Sequence, residues 1–188
     1  MRPMSALSLR DGLPSRIAKV IIYRRIGLRV GFGLRKFLSM KIDVTLLDEL
    51  TAQAQASPRL RMNMDLRNSA ADTSQRMLNA IEPGSVVPIH RHRKTSETVV
   101  VLRGRVVEEY YSSEGLVEAS YELAAGGDAR SESGMTERES GITEVACALN
   151  IPAGQWHTLR ALESGTVILE MKDGAYEPIG AEDVMERS

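Results

Sequence analysis

Residues 84–104 read GSVVPIHRHRKTSETVVVLRG, and this chain of 188 residues places two of its three histidines there. On a strand, residues two apart project from the same face. His90 and His92 therefore point together, and Arg91 is thrown to the other side. RKTS makes the turn, and Glu97 opens the next strand on the side of Val99 and Val101. The third histidine, His157, follows PAGQW, a Pro/Gly turn that delivers another strand. Three imidazoles and one carboxylate thus converge inside an apolar β structure.

Outward from this stretch the pattern stays β. QRMLNAIE, RVVEEYYS, LVEASYEL, TEVACALNIP, HTLRAL and TVILEMKDG are short, rich in β-branched residues or alternating. EPGS at 82–85, SSEG at 112–115 and ESG at 163–165 separate them. One helix precedes them in DVTLLDELTAQAQA: Asp43 is its N-cap, Leu46, Leu47, Leu50 and Ala54 form its apolar stripe, and Pro58 closes it. The expected fold is mainly β, an antiparallel barrel or jelly roll with a short N-terminal helix.

Charge divides the chain. Residues 1–40 carry nine Lys/Arg against Asp11 alone, whereas the remainder carries 15 basic and 24 acidic residues. The acidic body argues against nucleic-acid binding. The apolar residues of the basic segment are broken by charges too often to span a membrane. Residues 40–188 read as one domain, with MKIDVTLLDEL at Met40 as its natural start and residues 1–39 as a basic extension. A basic amphipathic helix lying on an anionic surface or on a partner is the rival reading. Residues 124–141, AAGGDARSESGMTERESG, lack periodicity and read as a disordered or functional loop. The single cysteine, Cys147, fits a reducing cytoplasm and reads as a buried strand residue.

Histidines and a glutamate buried in apolar surroundings cost several kcal/mol without partners, and a divalent cation removes that cost. No serine or cysteine lies in a nucleophile turn that would suggest a triad. His90, His92, Glu97 and His157 are thus the candidate ligands of one divalent transition metal, with Fe, Mn, Zn and Ni all open. Arg76 and Asn79, in the strand before His90, and Asn63 and Arg67, in a loop-like stretch, are weaker candidates for substrate binding.

The stretch from Gly84 through His90, His92 and Glu97 to Gly104 resembles the first cupin motif at every specified position. PAGQWH, with Pro152, Gly154 and His157, resembles the centre of the second. Ala161 stands where that motif ends in Asn, and Ala146 where it begins with Gly. Within cupins, RMNMDLRNSAADTSQRMLNAIEPGSVVPIHRHRKTSE together with IPAGQWHTL and EMKDGAYEP resembles the WbuC family of cupin-fold metalloproteins. That resemblance covers roughly residues 43–178. It implies the same four metal ligands and a link to bacterial surface-polysaccharide metabolism, with no established reaction. An isomerase, epimerase or oxygenase acting on a sugar or sugar nucleotide is one expectation. A non-catalytic metal-containing module that binds a small molecule is the other. A homodimer through exposed strand edges is a further expectation.

Overall fold

In the computed structural model of the chain, residues 39–127 and 145–185 are described. The basic extension at 1–39, apart from its last residue, and the loop from 128 to 141 lie outside them. Helix α1 (Val44–Ala56) begins where the sequence places it. The Asp43 side chain accepts a hydrogen bond from the Leu46 backbone N–H at 3.2 Å, satisfying one of the helix's free donors. Leu47, Leu50 and Ala54 are its buried face.

Ten strands follow among the described residues: β1 (Arg61–Asp65), β2 (Ser74–Ile81), β3 (Ile89–His90), β4 (Glu97–Arg103) and β5 (Arg105–Tyr111), then β6 (Val117–Ala124), β7 (Ala148–Ile151), β8 (Trp156–Ala161), β9 (Thr166–Asp173) and β10 (Val184–Met185). They form two antiparallel five-stranded sheets, ordered β1-β2-β9-β4-β7 and β10-β3-β8-β5-β6. The fold is the expected mainly-β jelly roll, built as two facing sheets and not as a closed cylinder.

Two cores hold it. Between the sheets, Ile81, Val99, Val101, Ile151 and Ile168 of the first meet Val106, Tyr110, Leu123, Leu159 and Ala161 of the second. On the outer face of the first sheet, Leu78, Ala80 and Val167 pack against Leu47, Leu50 and Ala54 of α1. Arg103 fastens the helix to this sheet. Its guanidinium donates to Asp48 Oδ1 at 2.6 Å, Leu47 O at 3.0 Å and Gly165 O at 2.8 Å.

Gly104 alone separates β4 from β5, so the chain passes from one sheet to the other in a single residue. Its φ is +75°, and a Cβ there would lie 3.0 Å from Thr166 Cα. Only glycine takes that corner without strain.

Three local expectations change. Residues 61–65, read as loop-like, form β1, because Met62 and Met64 alternate with polar neighbours and pack against the helix cluster. Cys147 is exposed and not buried: it sits at the bend just before β7 begins. Arg91 does leave the histidine face, but not for open solvent. It lies 4.4 Å over the Trp156 ring and donates to Asp183 Oδ1 at 2.8 Å.

Candidate metal centre

The site is assembled from both sheets. His90 in β3 is the backbone partner of His157 in β8, so the second sheet presents two imidazoles side by side. Glu97, the first residue of β4, is the cross-strand partner of Lys172 in β9, so the first sheet presents a carboxylate and an ammonium. His92 lies on the connection between β3 and β4, where its carbonyl accepts from the Gly154 N–H at 2.8 Å. That bond ties the first histidine stretch to the turn carrying the third histidine.

Ring centroids are 4.4 Å apart for His90 and His157, 5.1 Å for His90 and His92, and 5.9 Å for His92 and His157. One nitrogen from each ring lies within 4.8 Å of the others. His92 Nε2 is 2.9 Å from Glu97 Oε2.

Two of the rings are held by main-chain carbonyls. His90 Nδ1 lies 3.0 Å from Pro88 O and His157 Nδ1 lies 2.9 Å from Gln155 O. A carbonyl only accepts, so each Nδ1 carries the proton and each Nε2 keeps its lone pair. Burial lowers the His90 pKa to about 4, helped by the neighbouring His157, and burial also lowers that of His157. Both are therefore neutral at pH 7. His157 Nε2 is buried with no hydrogen-bond partner. Burial pushes Glu97 upward, but the His92 hydrogen bond and the charge of Lys172 outweigh it and hold the carboxylate at about 2.

These residues fit a divalent ion. Backbone-oriented neutral imidazoles are the usual second-sphere arrangement of metal-ligating histidines. Adjacent ligands roughly 2.1 Å from one ion and at right angles to each other lie about 3 Å apart, which is the His92–Glu97 spacing. The buried Nε2 of His157 keeps a lone pair with no hydrogen-bond partner, which is what an ion would take.

The histidines open into a cavity of about 380 Å³ between the sheets, a size that holds a small molecule. Of the weaker candidates, Asn63, Arg76 and Asn79 line it. Asn79 hydrogen-bonds Glu170, and Arg76 is paired with Asp72 at 2.8 Å. Arg67 is not among the lining residues. Its guanidinium forks onto Asp65 and lies 5.3 Å from the Tyr176 ring centre.

Alternation along β9 leaves two faces to choose from, one with Val167, Leu169 and Met171 and one with Glu170 and Lys172. In the structure both faces of this strand are covered. Val167 and Leu169 lie against the helix cluster, whereas Ile168 belongs to the inter-sheet core and Glu170 and Lys172 line the cavity. Burial, and after it the negative charge of Glu97, raises the Glu170 pKa to about 8.

A third interior acid was not foreseen. Glu108 lies between Val106 and Tyr110 on the inward face of β5, is 0% exposed, and has both carboxyl oxygens unpartnered. Burial first, then Glu97, Glu170 and Glu109, raises its pKa well above the usual carboxylate range. Period-2 alternation in RVVEEYY would have found it, since Val106 and Tyr110 share its parity.

Among known proteins, a family profile described as a domain of unknown function (DUF6016) matches residues 42–123. That span includes His90, His92 and Glu97 and stops short of His157. No curated protein matches the chain. Similar solved structures include KdgF from Halomonas sp., at 12% identity and a TM-score of 0.45 over 64% of this chain and 84% of that one. They also include the capsular polysaccharide assembling protein CapF from Staphylococcus aureus, at 17% identity and a TM-score of 0.45 over 65% of this chain. This chain spans 30% of CapF's length. A cupin-superfamily sugar phosphate isomerase from Silicibacter pomeroyi aligns at 16% identity and a TM-score of 0.41, over 60% of this chain and 59% of that one.

Proposed function

We propose that this chain is a metal-binding cupin that holds one divalent transition metal ion with His90, His92, His157 and Glu97. Its ligand is a small polar molecule, read through the WbuC-type resemblance as a sugar or sugar nucleotide of surface-polysaccharide metabolism. The observation that carries the metal reading is the buried, unpartnered Nε2 of His157, beside two more imidazoles and a deprotonated carboxylate. Once bound, such an ion acts as a Lewis acid toward a carbonyl or hydroxyl oxygen.

The chain's own residues supply the rest. Glu170 and Lys172 face the same cavity, so a proton donor and a positive charge lie beside the bound molecule. With its raised pKa, Glu170 holds its proton at neutral pH and can release it over an accessible range. That pairing favours turnover by proton transfer, as in isomerisation or epimerisation, over a module that only binds. Leu159 and Ile81 form apolar wall between the polar groups and limit water around the molecule.

Elemental analysis of tag-free full-length protein, beside a His92→Ala variant, tests the metal reading. About one equivalent of a single transition metal, lost in the variant, is expected. Failure to take up Fe, Mn, Zn or Ni on reconstitution would refute it.

A further inference from the structure

Lys172 is not in the proposed ligand set, yet its ammonium lies where a metal ion's charge would act. Lys172 Nζ is 3.0 Å from His92 Nε2 and 3.3 Å from His92 Nδ1. It is 3.6 Å from Glu97 Oε2, with its side chain 17% exposed. The sheet puts it there, because Lys172 is the cross-strand partner of Glu97. With His92 Nε2 donating to Glu97, the ammonium meets the lone pair of His92 Nδ1 and the Glu97 oxygen, and an imidazole lone pair and a carboxylate oxygen are also what a divalent ion takes. Two cations do not share these atoms, since like charges a few ångströms apart in a shielded pocket repel strongly.

The rim offers an environment suited to what a displaced Lys172 would do. Arg59 and Arg61 both line the cavity. Burial, and after it the charge of Arg59, lowers the Arg61 pKa, the signature of two neighbouring cations not fully compensated. Arg61 donates to the carbonyl of Val86, a neutral partner, whereas Arg76 is already neutralised by Asp72. Arg59 and Arg61 are thus cations that an entering oxyanion can meet, with Glu177 an opposing charge on the same lining.

We propose that Lys172 is an internal cation with two positions: it holds the His92–Glu97 corner in the metal-free protein, and on metal binding it turns into the cavity to bind the oxyanion group of the ligand. This rests on the metal reading above and narrows the ligand to a small molecule carrying a phosphate or carboxylate. Lysine suits this role because its charge sits on a flexible stem with three rotatable donors.

The test uses the full chain, stripped of metal by a chelator. Zn²⁺ affinity is measured by competition with a chromophoric chelator for wild type, Lys172→Met and Lys172→Arg. Removing the competing cation should tighten Zn²⁺ binding in Lys172→Met about tenfold, within the range by which neighbours of metal ligands alter affinity. Lys172→Arg, which retains the charge, should stay near wild type. In the zinc-loaded proteins, Lys172→Met should bind inorganic phosphate or acetate about tenfold more weakly than wild type. Preference for phosphate or for acetate assigns the group.

Zn²⁺ affinity equal to or weaker than wild type in a folded Lys172→Met protein overturns the competition. Unchanged binding of both anions overturns the anion role. Should Lys172→Met fail to fold, Lys172→Gln carries the same two readouts. A wild type that binds no ion defeats the metal reading itself, whereas binding by wild type with unchanged variants defeats this inference alone.

Discussion

Glu108 is the residue whose replacement tests the electrostatics of the interior most directly. It is 0% exposed, with both oxygens unpartnered, between Val106 and Tyr110. Burying a neutral carboxyl group without a hydrogen bond costs about 1–3 kcal/mol on mutational scales. Proton linkage adds to this. In the unfolded chain the group titrates near its model value of 4.5, whereas burial raises it well above that in the folded chain. Between those values the folded protein binds a proton that the unfolded chain has lost. The contribution of Glu108 to stability therefore declines as pH rises above 4.5, by up to about 1.4 kcal/mol per unit.

Methionine has a similar length, needs no hydrogen bond and does not titrate. Glu108→Met should therefore be more stable than wild type by about 1–3 kcal/mol near pH 5, and its advantage should widen as pH rises to 7.5. Urea unfolding of both proteins at the two pH values measures the difference, and contributions from groups unchanged by the substitution cancel to first order. A variant less stable than wild type at both values, with no widening as pH rises, would show that the carboxyl has a partner and refute the reasoning.

Other outcomes follow from the same geometry. Glu170→Gln should remove one group titrating near 8 in a carboxyl-detected NMR titration. Gly104→Ala should lower stability by more than about 1–2 kcal/mol, because a left-handed corner and a close approach to Thr166 coincide; thermal unfolding reads this directly. Arg103→Lys should cost about 1–3 kcal/mol in denaturant unfolding, since an ammonium cannot reach Asp48, Leu47 O and Gly165 O at once. His157→Ala should abolish stoichiometric metal uptake in elemental analysis while the far-ultraviolet circular dichroism stays β-rich.

The sequence by itself determined what depends on neighbours along the chain. Asp43 capping a leucine-striped helix, strands with period 2, and a glycine closing the first histidine stretch are local patterns, and the structure reproduces them. Glu97 opening the next strand followed from a short turn, whereas the strand ends at His90 and His92 reaches the site from the connection after it. The β1 strand was also present in the alternation of Met62 and Met64, hidden by the polar residues between them.

Only the tertiary structure decided which side of a doubly covered strand faces the site. β9 is flanked by β2 and β4 and packs against a helix on one face and a second sheet on the other, so burial gives both parities reason to be apolar. Placing Glu170 and Lys172 in the cavity required the register of β9 against β4, which pairs Lys172 with Glu97. Bringing His157 beside His90 likewise required β8 to pair with β3 across 67 residues of chain. Local pattern specifies how a segment alternates. Which face meets which partner is set by the burial and pairing of strands far apart in sequence, and that choice created the site.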